Sequence, residues 1–140
     1  MSVTARVKWT GGMQFVGESE TGHAIVLDAS PDDGGTDSGM RPMELLLVGV
    51  GSCSGMDIVS VLQKKRQKVT GLEVSVAGEN ADEYPKRYTA IHVEWIITGH
   101  NLSEDAVKHA VDLSMEKYCS VKATLEHSAK VSFGYRIVNT

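Results

Sequence analysis

The sequence predicts an α+β fold in the order β-β-β-α-β-β-α-α-β, and three observations carry that prediction. Short alternating runs broken by glycine-containing turns open the chain, one long apolar segment beginning at Pro42 has helical length, and two further alternating runs precede a capped helical stretch. With 140 residues the chain has the size of one domain, read here as residues 1–140.

Residues 5–9, 13–18 and 23–27 alternate, carry β-branched and aromatic side chains, and are separated by Thr10-Gly11-Gly12 and Glu20-Thr21-Gly22, as in an antiparallel meander. Residues 30–39 have no apolar period and are expected to form a loop, long enough to be mobile or to cover something. Pro42 suits the first turn of a helix, where its missing N–H is not needed. Residues 43–62 follow as a helix that is apolar nearly all round to Met56 and then amphipathic, ending in Lys64-Lys65-Arg66. Strands are expected over 72–77 and 90–98, the second placing Ile91, Val93, Trp95 and Ile97 on one face, with a charged, proline-containing turn over 80–87 between them. Ser103 reads as the N-cap of a helix with Glu104 and Asp105 in its first turn. A second short helix is expected over 119–125 and a closing strand over 129–138.

Composition excludes several classes of function. The formal net charge of -4 is scattered, and no basic block exceeds Lys64-Lys65-Arg66, so no nucleic-acid partner is expected. The N-terminus lacks the basic-then-apolar order of a signal peptide. The apolar helix holds Glu44, Asp57 and small polar residues, so it reads as a buried core or interface helix rather than a membrane span, and a cytoplasmic protein is expected. The five histidines show no metal-ligand spacing with each other or with the cysteines, and the glycine pairs lack the strand-to-helix context of a phosphate loop; neither a metal nor another cofactor is expected.

What remains is sulfur chemistry. Cys53 lies at the centre of the apolar helix in a collar of Gly49, Gly51, Ser52, Ser54 and Gly55, and three glycines in a helix, each costing roughly 1 kcal/mol against alanine, imply that something packs closely there. Two helices meeting at a dimer axis would account for the collar. The other thiol, Cys119, lies far down the chain. Two buried, inert cysteines are one reading and a redox pair is another.

The opening meander with its Gly-Gly turn, the Pro42-Met43-Glu44 helix start with Cys53 eleven positions after the proline, the charged stretch between two strands and the late Cys119 together resemble the OsmC/Ohr superfamily of thiol-dependent peroxidases, and within it the YhfA-like branch. The resemblance spans almost the whole chain. It implies an intertwined homodimer, with central cysteine-bearing helices wrapped by antiparallel sheets, and a thiol-dependent reduction of hydroperoxides in oxidative-stress defence. In that chemistry Cys53 attacks the peroxide, Cys119 resolves the sulfenic acid as a disulfide, and an external dithiol restores the pair. Glu44 and Arg41 are the charged candidates for a catalytic role beside them. The arginine and glutamate positions of the organic-hydroperoxide members read Met13 and Met43 here, and with Met56 these give an apolar, flexible pocket lining. The alternative is therefore a non-catalytic dimer that binds a small hydrophobic ligand or acts as a redox-sensitive partner.

Overall fold

The computed structural model describes residues 1–140 and follows the expected order of elements. It divides into two compact units, residues 1–46 and 47–140. In the first, β1 (Ala5–Gly11), β2 (Gln14–Ser19) and β3 (Ala24–Leu27) form an antiparallel meander in that order. Gly11 and Gly12 both take positive φ in the first hairpin turn, a conformation that L side chains adopt only with strain.

The loop over residues 30–39, expected to be mobile or to cover something, is tied down. Asp28, buried at 3% exposure, accepts hydrogen bonds from the amides of Ala29, Thr36 and Ser38 and from the hydroxyls of Thr36 and Ser38, at 2.6 to 3.1 Å. One carboxylate thereby organises ten residues of chain that have no apolar period of their own. A single 3-10 turn, Pro31–Asp33, sits inside the loop, and Met40 bridges back to Leu27.

The second unit is built on a sheet in the order β4 (Lys68–Asn80), β5 (Tyr88–His100) and β6 (Lys130–Asn139), with β4 antiparallel and β6 parallel to the central strand. Both β4 and β5 run well beyond the stretches expected from alternation. Their ends are polar or glycine-rich, but the backbone ladder needs no apolar side chain to continue. Ile91, Val93, Trp95 and Ile97 are buried, as their alternation predicts, and opposite them on β4 stand Gly78, Val76, Val74 and Leu72.

Helix α1 (Pro42–Lys64) buries the stripe Val50, Gly51, Ser54, Gly55, Ile58 and Leu62, a spacing of three and four that marks one helical face. The face is fastened to the sheet by a buried hydrogen bond, the Trp95 indole N–H donating to the Ser54 hydroxyl at 3.1 Å, while Ser54 donates to the Val50 carbonyl. Gly51 and Gly55 of the glycine collar serve this same contact. A Cβ on Gly51 would lie 3.1 Å from a Val76 methyl, one on Gly55 would lie 3.6 Å from Val74, and Gly49 faces Val121. By length and composition alone α1 could cross a membrane, with a mean hydropathy of 1.9 over 18 residues, a third of them buried in the chain. Leu46, Val48 and Met56 on α1 are exposed.

After α2 (Glu104–Leu113), capped by the Ser103 hydroxyl on the Ala106 amide, the chain makes a π-turn over Ser114–Tyr118 before α3 (Ser120–Leu125). Nothing in the local sequence announces the wider turn. Cys119 consequently precedes α3 as its N-cap, where the sequence reading had it as the first residue of the helix.

Candidate thiol site

Cys53 and Asp57 are four residues apart on α1 and so lie one turn above the other on a single stripe, beside the stripe that packs on the sheet. Both are half-buried. The π-turn and the N-terminus of α3 bring up Ser114, buried at 0% exposure, and Cys119, buried at 3%. The result is a cluster in which both Sγ atoms and a carboxylate oxygen of Asp57 lie within 4.8 Å of one another. No disulfide joins the two cysteines.

The second layer is specific. The Ser114 hydroxyl donates to Asp57 Oδ2 at 2.8 Å, which fixes the carboxylate and satisfies a hydroxyl that has no access to water. The Lys122 amide donates to Cys119 Sγ at 3.4 Å, so the sulfur performs the capping function usually given to a serine or aspartate oxygen. Burial pushes the Cys119 thiol up from its ordinary pKa; the Lys122 amide opposes this, while the hydrogen bond to Cys53 and the nearby Cys53 and Asp57 reinforce it. Cys119 is therefore a protonated thiol at neutral pH. The two residues differ in burial, Cys53 being half-buried and Cys119 buried. Beside the cluster a cleft of about 440 Å³ is lined by Asp57, Ser60, Val61, Lys64, Lys65, Leu113 and Tyr118.

Of the other residues singled out from the sequence, Met13, Arg41, Met43 and Glu44 lie in the first unit and Met56 in the second. Glu44 accepts a hydrogen bond from the Arg41 amide at 2.8 Å, the backward half of a capping box that closes the start of α1. The Arg41 guanidinium donates to Asp37 Oδ1 at 2.8 Å and to the Gly39 carbonyl at 3.1 Å. Met13 lines an apolar cavity of about 610 Å³ with Val7, Phe15, Leu27 and Pro42, Arg41 standing at its wall. Met43 is half-buried in the first turn of α1, and Met56 is exposed.

Asp57 is the residue that reading the sequence missed. The signal for it is the spacing, since an acid at the fourth position after Cys53 shares a helical face with the thiol. Its juxtaposition with Cys119 depends on the π-turn, which no local pattern encodes.

Comparison with known proteins places this arrangement in a family. The model of the family described as OsmC-like protein matches residues 35–134. Protein YhfA of Escherichia coli (strain K12) is 44% identical over 134 residues, 96% of this chain and 97% of that protein. The crystal structure of a hypothetical protein from Aquifex aeolicus VF5 is similar with a TM-score of 0.85 at 31% identity, covering 98% of this chain and 96% of that one. An organic hydroperoxide resistance protein, OsmC, from Legionella pneumophila shares the fold at a TM-score of 0.68 and 16% identity, over 100% of this chain and 98% of that one. This chain belongs to the OsmC-like family.

Proposed function

We propose that the chain is a thiol-dependent peroxidase that reduces organic hydroperoxides in the cytoplasm through Cys53 and Cys119. The observation that carries this reading is the pair of unbridged sulfurs within 4.8 Å of one another, one on a half-buried residue and the other on a buried one. Membership of a family with named hydroperoxide resistance proteins supports it.

The Cys53 thiolate attacks one oxygen of the peroxide; an S–O bond forms, the O–O bond breaks, and the alkoxide leaves as the alcohol after taking a proton. Sulfur is oxidised and the peroxide reduced. Cys119 then attacks the Cys53 sulfenic sulfur, forming S–S and releasing water with the Cys119 proton, and an external dithiol reduces the disulfide by exchange. An S–S bond of about 2.05 Å needs the two sulfurs, already within 4.8 Å, to approach by no more than about 3 Å. Arg41 and Glu44 enter this reading as charged groups that assist Cys53, and to do so they must leave the partners they hold at the start of α1. The functional form is a homodimer of the 1–140 domain, in which a second copy covers the exposed Leu46, Val48 and Met56.

Steady-state consumption of cumene hydroperoxide with a dithiol reductant tests the reading. Wild type turns over; Cys53→Ser loses at least about 100-fold and Cys119→Ser stalls after one oxidation. Equal rates in wild type and Cys53→Ser exclude it.

A second reading rests on the apolar cavity beside Met13: a non-catalytic dimer that binds a small hydrophobic ligand. It requires saturable binding of an apolar fluorescent probe that Met13→Arg weakens, together with no hydroperoxide turnover.

A further inference from the structure

We propose that the reduced Cys53, Asp57 and Cys119 form a binding site for a thiophilic divalent cation of the Zn²⁺ class. The inference is independent of the peroxidase reading, since it concerns the resting thiols and involves no peroxide.

The donor set comes first. Two cysteine sulfurs and one carboxylate oxygen from two separate segments converge with every pair of donor atoms within 4.8 Å. Around a tetrahedral zinc with Zn–S of about 2.3 Å and Zn–O of about 2.0 Å, donor atoms stand roughly 3.5 to 3.8 Å apart. The cluster therefore needs a contraction of no more than about 1 Å, a shift on the scale of a side-chain torsion. Three protein ligands and one open position make up the arrangement of a catalytic or exchangeable zinc site, and soft sulfur donors select zinc over magnesium or calcium.

The surroundings are those of a ligand set. Metal-bound carboxylates are held by hydrogen bonds from outside the coordination sphere, and the Ser114 hydroxyl holds Asp57 Oδ2 in this way, leaving its other oxygen for a cation. Cys119 Sγ receives the Lys122 amide, a bond that supports negative charge on a thiolate. Asp57 makes no ion pair, although Lys64 and Lys65 line the same cleft. The cleft, about 440 Å³, supplies an entry path and room for a water or an exogenous thiol as fourth ligand. A carboxylate left without a cationic partner beside two sulfurs has a function in this arrangement, because a divalent ion turns all three groups into partners of one charge. Metal and disulfide are alternatives at the same atoms, so the site holds its cation only while both cysteines are reduced.

The experiment uses the full chain, reduced and handled without oxygen. Co²⁺ is added and the near-ultraviolet sulfur-to-cobalt charge-transfer absorption recorded; Zn²⁺ is then added to displace it, and zinc affinity is measured by competition with a chromophoric chelator. One cobalt per chain is expected, with the absorption abolished by Zn²⁺. Binding falls at least about 100-fold in Cys53→Ser. It falls about tenfold or more in Asp57→Asn, which keeps an acceptor for Ser114, and in Ser114→Ala the loss is of the order found for groups that orient metal ligands, about tenfold. Wild-type protein alkylated with iodoacetamide provides the arm that needs no variant to fold, and it should bind no cobalt. The proposal is overturned if reduced protein shows no charge-transfer band, if the band survives Cys53→Ser, or if Asp57→Asn binds zinc as tightly as wild type. In each case hydroperoxide turnover is measured separately, and its outcome bears only on the peroxidase reading.

Discussion

Asp28 and Asp57 are both shielded carboxylates, and the difference between them separates scaffold from site. Asp28 is surrounded by five donors and holds them all, so its surroundings are complete and it has nothing left to bind. Asp57 has a single donor, the Ser114 hydroxyl, and faces two sulfurs. A buried acid with every lone pair occupied is part of the fold; one held by a single bond beside nucleophilic groups is available for chemistry. The local sequence context foreshadows this contrast, since Asp28 is followed by a polar loop rich in amide and hydroxyl donors, whereas Asp57 sits on a helix whose amides are already engaged.

Replacing the two acids should separate them most clearly. Asp28→Ala leaves several amides and hydroxyls of residues 29–38 without an acceptor and is expected to lower Tm by about 5 °C or more, read by calorimetry. Asp57→Asn keeps the acceptor for Ser114 and should change Tm by less than about 2 °C. Equal losses would break the comparison.

A pH series sharpens it. The Ser38 hydroxyl, followed by the amides of Ser38, Ala29 and Thr36, holds the Asp28 carboxyl well below the usual carboxylate range against an opposing effect of burial. With the folded value below the unfolded one, near 3.9, the folded chain binds fewer protons. The contribution to stability is thus fully present above about pH 4 to 5 and is lost as pH falls toward the folded value. Asp28→Asn should show a flatter dependence of stability on pH below about 4 than wild type; parallel curves would remove Asp28 from the acid response.

Smaller effects report on how α1 is held beside the site. Trp95→Phe removes the indole N–H that reaches Ser54 and part of a buried ring, and should cost about 1 to 2 kcal/mol in urea unfolding. Gly51→Ala gains about 1 kcal/mol of helix propensity but presses on Val76 at 3.1 Å, so it should be neutral to destabilising by up to about 2 kcal/mol. Gly49→Ala meets Val121 at an ordinary 3.6 Å and should stabilise by up to about 1 kcal/mol. If the two alanines behave alike, the close approach of β4 to α1 is not what selects glycine at Gly51.

Much of this was legible in the sequence, and the illegible parts have physical reasons. Alternation placed Ile91, Val93, Trp95 and Ile97 inward, Pro42 marked the start of α1, and Ser103 marked that of α2, because each signal is local. The ends of β4 and β5 were lost because ladder bonds outlast the apolar pattern. The glycine collar pointed correctly to close packing, but the sequence could not say that Gly51 and Gly55 meet β4 while Gly49 meets Val121 of α3, since nothing in a glycine tells a sheet from a helix. The ordered loop over 30–39 depends on Asp28, outside the stretch it organises. At the site, both cysteines were evident from the sequence, while their meeting with Asp57 and Ser114 awaits a π-turn whose effect is entirely tertiary.

The central claim, that Cys53 and Cys119 act as one redox pair, is tested most directly by treating the reduced full chain with one equivalent of cumene hydroperoxide, then counting free thiols and mapping peptides by mass spectrometry. The account predicts that both thiols are lost together, with a mass decrease of two hydrogens and a peptide linking Cys53 to Cys119, and that Cys119→Ser yields sulfenic acid on Cys53 instead. Two thiols still free after the peroxide has been offered, or oxidation on Cys119 with Cys53 untouched, would contradict it.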